Sequence, residues 1–340
     1  MKIAGFDIGG ANTDVGIIEF NEENNEIENI ITDFKYLPMW YKNNELSSSL
    51  LELLGSQKDN IDAIGISMTA ELVDAYTTKK EGVIDIATKS QILDKPLAFV
   101  SLNGMINMES LKKDPLSVAA ANWIATSQIA AEISPNSILL DTGSTTTDII
   151  PIKNGKQCAK GRTDFERLAH GELVYTGTLR TNISSFVDKI EFKDKTYRVS
   201  SELFAISADI HNILKNITLD DYTCDTPDGS GKSIKESMLR ISRVLCADLD
   251  ILNPDDVIEI SKQMYQKQID SIAEALKEVA YRENLDTVIV TGLGMDVLAA
   301  KAVEKAGLKC IRMGDYFTQE ECTVAPAIGT ALLMRNYLKK

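Results

Sequence analysis

Two short stretches of this chain carry the residue types of a phosphate-binding turn. Residues 7–14 read DIGGANTD, and residues 141–148 read DTGSTTTD. Glycine at such a turn tolerates positive φ and has no Cβ, so backbone N–H groups can approach a phosphate oxygen closely. Short hydroxyl and amide side chains add further donors. The candidate phosphate-binding residues are Gly9, Gly10, Asn12, Thr13, Gly143, Ser144, Thr145 and Thr146.

The aspartates that open the two stretches, Asp7 and Asp141, are candidate metal ligands and catalytic residues. Each follows an apolar run, where a carboxylate is costly unless it meets a cation or strong donors. Mg²⁺ keeps most of its waters and accepts one or two carboxylates, so a Mg²⁺ ion between these aspartates and a polyphosphate would meet that need. The alternative is that each stretch is an ordinary hairpin with Asp-Gly turn chemistry. The presence of two copies favours the phosphate interpretation.

The elements around the two stretches are predicted as strand, turn, strand in both cases. Apolar runs precede them at 3–6 and 138–140 and follow them at 15–18 and 149–152, which indicates strands on both sides of each turn. The copies are 141 − 7 = 134 residues apart. This spacing is too long for a solenoid repeat and about right for one domain echoed in the next. Two hairpins of this kind can face each other across a cleft.

Predicted strands alternate with helical patterns along the rest of the chain, which indicates an α/β fold. Turn-forming residues after 134 mark the main expected boundary. We therefore expect a first domain over 1–135 and a second domain over 136–325, with a substrate or lid region inserted at about 153–254. A closing helix at 326–340 is expected to pack back on the first domain.

Composition excludes several classes of protein. The 340 residues carry a formal net charge of −14, which argues against a nucleic-acid or anionic-membrane partner because both need a basic surface. No uncharged apolar stretch approaches the length of a membrane span, and no signal-peptide pattern precedes the first predicted strand. The five cysteines form no Cys-x-x-Cys pair and fit free thiols in a reducing cytosol. Two histidines leave little material for a zinc site or a serine-histidine triad. We therefore expect a cytoplasmic enzyme.

Two carboxylates follow the strand that is predicted over 61–67. Glu71 and Asp74 lie in the polar segment between the end of this strand and the next predicted element. Ligands of open α/β sheets bind at such strand ends. The equally weighted alternative is that both acids only favour the first turn of a helix. Glu71 is therefore a candidate catalytic residue, and Asp74 is a candidate substrate-binding residue.

Two polar segments of the inserted region, 171–181 and 226–233, are candidate substrate contacts. The second contains Gly-Lys-Ser but lacks the early glycine and the preceding strand of a P-loop, so a surface loop or lid is expected there. Arg240 and Arg243 follow at i,i+3 on a predicted helix, and one face of it could present two guanidinium groups to an anion. The alternative, weighted equally, is surface ion pairing with Asp248 or Asp250.

A third glycine turn, Gly292 to Gly294, joins a strand predicted over 287–291 to a helix predicted over 297–306. A Gly-x-Gly turn alone is weak evidence for a nucleotide loop. Its position after the two hairpins favours a nucleotide-like loop, with Asp296 as the expected N-cap of the helix.

The order hairpin, hairpin, Gly-x-Gly resembles the superfamily of sugar kinases, heat-shock chaperones and actin. Within it, the chain is similar to the hydantoinase/oxoprolinase family, and in particular to the branch linked to tetrahydromethanopterin-dependent one-carbon metabolism and methanofuran biosynthesis in methanogens. The segments that carry this closer resemblance span most of the chain, and they are 67–74 (SMTAELVD), 121–126 (ANWIAT), 171–181, 226–229 (TPDG) and 240–243 (RISR). The resemblance implies a two-domain actin-like ATPase (ribonuclease H-like) fold with a cleft between the domains.

The resemblance also implies a transferase. An aminomethylfuran that carries a methyl diphosphate is joined to the phenol oxygen of γ-glutamyltyramine, with release of diphosphate and formation of an ether. The two loops and their aspartates would hold Mg²⁺ and the diphosphate as it leaves, and a carboxylate near the cleft would take the phenol proton. The candidate bases are Glu71, Asp74, Asp148 and Asp228, of which Asp228 is also a candidate substrate-binding residue, and the candidate partners of the glutamyl carboxylates are Arg180, Arg240 and Arg243.

Two other classes of function stay open on the same residues. An ATP-dependent kinase, or a hydrolase of the oxoprolinase or hydantoinase type, would use the same loops and would turn over ATP. A nonenzymatic protein that is switched by a nucleotide is also permitted by the fold, although the sequence contains no recognisable peptide-binding domain or filament-type insertion. The expected partners are small-molecule diphosphate and phenol substrates, and the sequence leaves the oligomeric state open.

Overall fold

The computed structural model describes residues 1–21, 23–24, 26–119 and 121–339. The chain divides into two compact units. Unit 1 consists of Met1–Pro135, Ile152–Gln157 and Met313–Lys340, and unit 2 consists of Asn136–Pro151 and Cys158–Arg312. Within the described ranges, no helix is both long and apolar enough to cross a membrane.

Strands and helices alternate along most of the chain. The strands are β1 (Lys2–Ile8), β2 (Asn12–Phe20), β3 (Ile27–Tyr36), β4 (Ala63–Met68), β5 (Leu97–Ser101), β6 (Gly104–Ile106), β7 (Ser137–Thr142), β8 (Thr147–Lys153), β9 (Lys156–Gln157), β10 (Leu173–Val174), β11 (Lys189–Phe192), β12 (Lys195–Arg198), β13 (Thr287–Thr291) and β14 (Lys309–Arg312). The α-helices are α1 (Met39–Lys42), α2 (Leu46–Leu54), α3 (Lys79–Ser90), α4 (Met108–Lys113), α5 (Asn122–Ile133), α6 (Asp164–Ala169), α7 (Ser207–Ile213), α8 (Ile234–Val244), α9 (Pro254–Glu283), α10 (Ala300–Ala306), α11 (Gln319–Thr323) and α12 (Ala325–Leu338).

The sheet of unit 1 has the strand order β3-β2-β1-β4-β5-β6. Its centre, β1, is antiparallel to β2 and parallel to β4. Alternate residues of β1 face opposite sides of the sheet, and Ala4, Phe6 and Ile8 pack into one core with α2 and α3. Asp7 therefore lies on the other face, at the end of the strand.

Helix α12 covers that other face by lying on a row of glycines. Gly5 of β1 is paired with Gly16 of β2 on one side and with Gly65 of β4 on the other. A Cβ at Gly5 would collide with the backbone of Ala327 and Ala331 in α12. The absence of side chains along this row lets the helix backbone approach the sheet closely.

The sheet of unit 2 repeats the central arrangement of unit 1. Its strand order is β10-β8-β7-β13-β14, and β13 is parallel to both β7 and β14. The order β8-β7-β13-β14 corresponds to β2-β1-β4-β5 in unit 1. Helices α9 and α10 pack on this sheet through a shared apolar core. The repeat of DxG hairpins seen in the sequence is thus a repeat of topology.

The region between β10 and α9 has an apolar core of its own. This second core of unit 2 combines the β11–β12 hairpin, α7, α8 and the first half of α9. The 30-residue α9 connects the two cores, because Val257 and Ile260 belong to the second core while Ile272 and Leu276 belong to the core under the sheet.

Unit 1 includes two segments, 152–157 and 313–325, that the sequence-based division placed in the second domain. The first belongs there because β9 pairs with the end of β8 through Ile152 and Gln157 and lies against α5. The second belongs there because α11 lies against β3 and α12. Neither contact is readable from local sequence.

Candidate functional site

The first candidate phosphate loop is a tight turn between β1 and β2. The N–H of Gly9 donates to the carbonyl of Asn12 at 2.9 Å. The carbonyls of Gly10 and Ala11 accept hydrogen bonds of 2.8 Å from the N–H groups of Met39 and Leu37. Their own N–H groups have no partner among the described residues. The turn therefore pairs two of its acceptors and leaves two donors for an anion.

The second candidate loop has the same construction at the same spacing. The N–H of Gly143 donates to the carbonyl of Thr146 at 2.9 Å. This hydrogen bond is equivalent to the one from Gly9 to Asn12 in the first loop. The carbonyls of Gly143 and Ser144 accept bonds from residues 178–180, whereas the N–H groups of Ser144, Thr145 and Thr146 find no partner in the part of the chain that the structure describes. Three adjacent backbone donors are again free for an anion.

Unit 1 brings Asp7, Asp14 and Glu71 into one acidic cluster. Asp7 is directly opposite Asp14 across β1 and β2 and accepts a 2.6 Å bond from the hydroxyl of Ser67. Burial raises the pKa of Asp7, although hydrogen bonds from Ser67 and Asn122 lower it. Burial, and then the charge of Asp7, raise the pKa of Asp14 to about 7. The cluster therefore favours protonation or a bound cation at neutral pH.

Glu71 is the least solvent-exposed member of that cluster. It is 2% exposed, and its Oε2 has no hydrogen-bond partner among the described residues. Burial is the main cause that raises its pKa, while Lys79 lowers it and the charge of Asp7 raises it further. A buried carboxylate oxygen without a hydrogen-bond donor can accept a proton or bind a cation.

Unit 2 carries the equivalent pair, Asp141 and Asp148, but neutralises part of it internally. Burial, and then the charge of Asp148, raise the pKa of Asp141 to about 7. Asp148 forms an ion pair with Arg167, whose side chain is almost fully buried. Burial raises the pKa of Asp148 even so, and Arg167 opposes that shift. The two loops thus differ in charge, because no comparable arginine pairs with Asp7 or Asp14 among the described residues.

Residues 176–180, which we call the strap, hold the second loop in place. The N–H of Thr178 donates to Gly143 at 3.0 Å, and the N–H groups of Leu179 and Arg180 each donate to Ser144 at 2.9 Å. The Arg180 guanidinium donates to the Ser144 hydroxyl at 3.2 Å. Arg180 is exposed and has no carboxylate partner among the residues that the structure describes. The structure therefore places this predicted substrate-binding residue against the second candidate phosphate loop.

The glycines of the predicted nucleotide-like loop pack against the end of β7. Gly292 has a φ of +88°, and a Cβ there would collide with the Asp141 carboxylate. The N–H of Gly294 donates to the Thr142 carbonyl at 2.8 Å. These contacts explain structurally why glycine occupies both positions. A π-helical turn, Met295–Ala299, follows, and Asp296 pairs with Arg312 rather than capping a helix.

Arg240 lies in a different environment from the predicted one. Its side chain is fully buried, and its guanidinium pairs with Asp209 at 2.8 Å and with Asp228 at 3.2 Å. It also donates to Ser230 at 2.9 Å. This geometry argues against the predicted contact between Arg240 and a substrate. The alternative of surface pairing is also wrong for this residue, since the pair is buried.

Asp228 links Arg240 to Arg243. Its second oxygen accepts a 2.8 Å bond from Arg243, and hydrogen bonds from Ser230 and Arg243 hold its pKa below the usual range in spite of partial burial. Asp228 is therefore a poor proton acceptor. The Arg243 side chain is 45% exposed. Asp74 is exposed on the loop after β4 and makes no contact with a charged or hydrogen-bonding group of any described residue.

Sequence reasoning missed four residues of these clusters. Asp14 coincides with Asp148 in the repeat, so its signal was present. Ser67 and Asn122 fall inside two of the segments that carry the family resemblance, but nothing in the sequence shows that both contact Asp7. Arg167 has no signal, because its partner lies 19 positions away.

The donor chemistry fits a hydrated divalent cation. No group of three or more histidine, cysteine, aspartate or glutamate side chains is arranged as a metal site in the described part of the chain. A Mg²⁺ ion that keeps waters and contacts phosphate needs only one or two carboxylates. Asp7 offers one, and Glu71 Oε2 in the same cluster is a buried oxygen without a partner among the described residues. The roles of Asp7 and Asp141 as metal ligands stay predictions.

Two DxG hairpins on repeated sheets, with free backbone donors at each turn, define an actin-like ATPase fold. The chain belongs to the hydantoinase/oxoprolinase family, whose model matches residues 62–337. The family predicted from the sequence is thereby confirmed.

Relatives of known name agree with this family. The chain is 42% identical over 343 residues, covering 100% of the chain and 99% of the relative, to (4-{4-[2-(gamma-L-glutamylamino)ethyl]phenoxymethyl}furan-2-yl)methanamine synthase of Methanocaldococcus jannaschii. It is 41% identical over 213 residues to a synthase of the same name from Methanococcus vannielii, covering 62% of the chain and 96% of the relative.

Solved structures agree with the fold class. A ROK hexokinase from Thermus thermophilus matches with a TM-score of 0.53 at 11% identity, covering 100% of this chain and 99% of that one. A nucleotide-free acetone carboxylase matches with a TM-score of 0.57 at 11% identity, covering 97% of this chain and 70% of that one. The predicted two-domain actin-like fold is confirmed.

Proposed function

We propose that this chain is an enzyme of methanofuran biosynthesis that catalyses the reaction of the named synthases. It joins an aminomethylfuran methyl diphosphate to the phenol of γ-glutamyltyramine and releases diphosphate. The observation that carries this proposal is the 42% identity to the Methanocaldococcus jannaschii synthase along the whole chain. The two donor loops support it, because each is built to receive an anionic phosphate group.

The bond that breaks joins the furan methylene carbon to the diphosphate oxygen. The electron pair leaves with the diphosphate, and an electron-rich furan stabilises the carbon left behind. The free N–H groups of a loop, at Gly10 and Ala11 in unit 1 or at residues 144–146 in unit 2, would stabilise the negative charge as it develops. Asp7 in unit 1 and Asp141 in unit 2 are the predicted Mg²⁺ ligands, and Mg²⁺ when bound would neutralise charge on the departing diphosphate.

The bond that forms joins the same carbon to the phenol oxygen, so the phenol proton must go to a base. Of the four predicted candidates, Glu71 has the best environment. Asp148 is paired with Arg167, and Asp228 is held ionised by Ser230 and Arg243. Asp74 is exposed and has no hydrogen bond or ion pair with a described residue. Glu71 offers a buried oxygen without a partner and a raised pKa, which suits a general base near neutral pH.

Arg180 and Arg243, the two exposed members of the three predicted substrate-binding arginines, are assigned to different substrate groups. Arg180 donates to Ser144 in the second loop, so we assign it to the diphosphate instead of a glutamyl carboxylate. Arg243 keeps nearly half of its side chain exposed and remains the candidate for a carboxylate of γ-glutamyltyramine.

Mass spectrometry of a single reaction tests the proposal. The protein is incubated with Mg²⁺, γ-glutamyltyramine and the aminomethylfuran methyl diphosphate, without ATP, and the ether and free diphosphate are measured. We expect both products in equal amounts. A matched reaction with Asp7→Asn should give about 10²–10³-fold less product, the loss typical of removing one electrostatic contact to a transition state.

Two results would overturn the proposal. Absence of the ether, with product formation only after ATP is added, would mean that the chain is an ATP-dependent kinase or hydrolase of the same family. Absence of any product, with a partner that associates only when a nucleotide is bound, would mean a nucleotide-switched binding protein.

A further inference from the structure

A buried polar side chain, Gln268 of α9, reaches the strap that holds the second phosphate loop. Gln268 is fully buried. Its Nε2 donates to the Thr176 hydroxyl and to the Gly177 carbonyl, both at 2.8 Å. Gln268 takes no part in the transfer chemistry, and it belongs to no motif of the sequence.

The contact matters because the strap backbone lies directly against the loop. A Cβ at Gly177 would approach the N atom of Thr145 to 2.5 Å. The Thr147 hydroxyl donates to the Thr176 carbonyl at 2.8 Å. Any shift of Thr176 and Gly177 is therefore transmitted to the turn at Ser144 and Thr145, where the donors for the anion lie.

A buried histidine, His211, lies near Gln268. The Asn216 amide, which is a donor, lies 3.3 Å from Nδ1 of His211, so Nδ1 accepts and the proton is on Nε2. Burial lowers the pKa of His211 to about 4, and the ring is therefore neutral. Its Nε2 and the Oε1 of Gln268 are both buried without a hydrogen-bond partner among the described residues, and Gln268 is near enough to oppose the lowering of the His211 pKa.

The orientation of the Gln268 amide follows from its contact with the strap. The Gly177 carbonyl can only accept a hydrogen bond, so the amide must point an N–H group at it. Gln268 therefore contacts the strap as a donor, and the strap in turn contacts the second phosphate loop.

We infer that Gln268 is a positioning residue: through the strap, it holds the free N–H groups of Ser144, Thr145 and Thr146 toward the diphosphate. This inference rests on the proposed function, which supplies the diphosphate. Gln268 touches no substrate, and its effect is confined to the binding of the anionic group. The second substrate, γ-glutamyltyramine, is not affected.

The test measures binding of inorganic diphosphate with Mg²⁺ by titration calorimetry, together with the KM of each substrate. Gln268→Met keeps the shape and removes both hydrogen bonds. We expect about tenfold weaker diphosphate binding and an equal rise in the KM of the diphosphate substrate, with an unchanged KM for γ-glutamyltyramine. Hydrogen exchange at the N–H groups of 178–180 should become faster.

Two matched comparisons separate positioning from general damage. Gln266→Met makes the same change two residues away on α9, where the glutamine is exposed and bonds only Asp270, and it should leave both constants unchanged. If Gln268→Met fails to fold, Thr176→Val decides the matter, since it removes one acceptor of the contact and Thr176→Ser restores it. Weakening by valine with recovery by serine supports the inference.

The outcomes distinguish this inference from the proposed function. Wild-type binding of diphosphate with equal binding by Gln268→Met and Thr176→Val would overturn the inference and leave the function standing. A wild type that neither binds diphosphate nor forms the ether would overturn both. An equal rise in the KM of both substrates would also overturn the inference, because it would indicate general loosening.

Discussion

Replacing Asp141 by asparagine should stabilise unit 2 increasingly as the pH rises, although it removes a residue of the proposed active site. Burial and the charge of Asp148 raise the pKa of Asp141 from 3.8 to about 7. A carboxyl with a higher pKa in the folded chain binds its proton more tightly when folded. The stability that it contributes is complete below about pH 4 and is lost as the pH rises through about 7.

The size of this effect follows from the shift. A change of about 3 pKa units corresponds to about 4 kcal/mol, and the partial exposure of Asp141 reduces this to about 2 kcal/mol. Asparagine carries no charge at any pH. Between about pH 4 and pH 8.5, the free energy of unfolding of the variant should therefore gain about 2 kcal/mol on the wild type, which is about 1 M in the urea midpoint.

Urea unfolding in EDTA at several pH values measures the difference. Far-UV circular dichroism follows the whole chain, while tryptophan fluorescence follows unit 1, because Trp40 and Trp123 both lie there. Asp220→Asn is the control, since Asp220 is exposed and has no polar partner among the described residues. A midpoint difference that stays constant with pH, or a variant that loses stability at pH 8.5, would refute the electrostatic reasoning.

Three further predictions concern single contacts. Asp7→Asn should lower Mg²⁺-dependent turnover by about 10²–10³-fold and leave the circular dichroism spectrum unchanged; full activity in both this variant and Asp141→Asn would remove the metal-site hypothesis. Arg167→Met should lower the free energy of unfolding by about 3–5 kcal/mol at pH 8, because it leaves Asp148 buried without its cation, and adding Asp148→Asn should recover most of that loss in urea titrations. Gly5→Ala should destabilise unit 1 by about 1–3 kcal/mol, because its Cβ collides with the α12 backbone; an unchanged midpoint of tryptophan fluorescence would contradict the close approach.

Local patterns were sufficient to predict the two hairpins. The apolar runs on each side of DIGGANTD and DTGSTTTD became β1, β2, β7 and β8, and each turn closes with the expected glycine. Strand β3 was not predicted, because its residues Ile27–Tyr36 mix exposed and half-buried positions at the edge of the sheet. An edge strand has only one neighbour, so its sequence carries a weaker period.

Long-range partners explain where prediction of the site ended. Asp7 and Glu71 were named from strand ends, and the structure places them in one cluster. Arg240 looked like an exposed helical residue, but Asp209, 31 positions earlier, holds it in the interior. The same limit applies to Gln268, whose partner Gly177 is 91 positions away. Sequence spacing predicts contacts along one helix or strand, but it does not predict contacts between residues that are far apart in the sequence.

The row of glycines under α12 has a consequence for synthesis of the chain. The sheet that they cross is translated early, but the helix that covers it follows the whole of unit 2 in chain order. The face of the sheet that α12 covers therefore stays uncovered while the ribosome synthesises unit 2. Unit 2 can complete its fold first. Unit 1, although it contains the first strands, is expected to be the last to close.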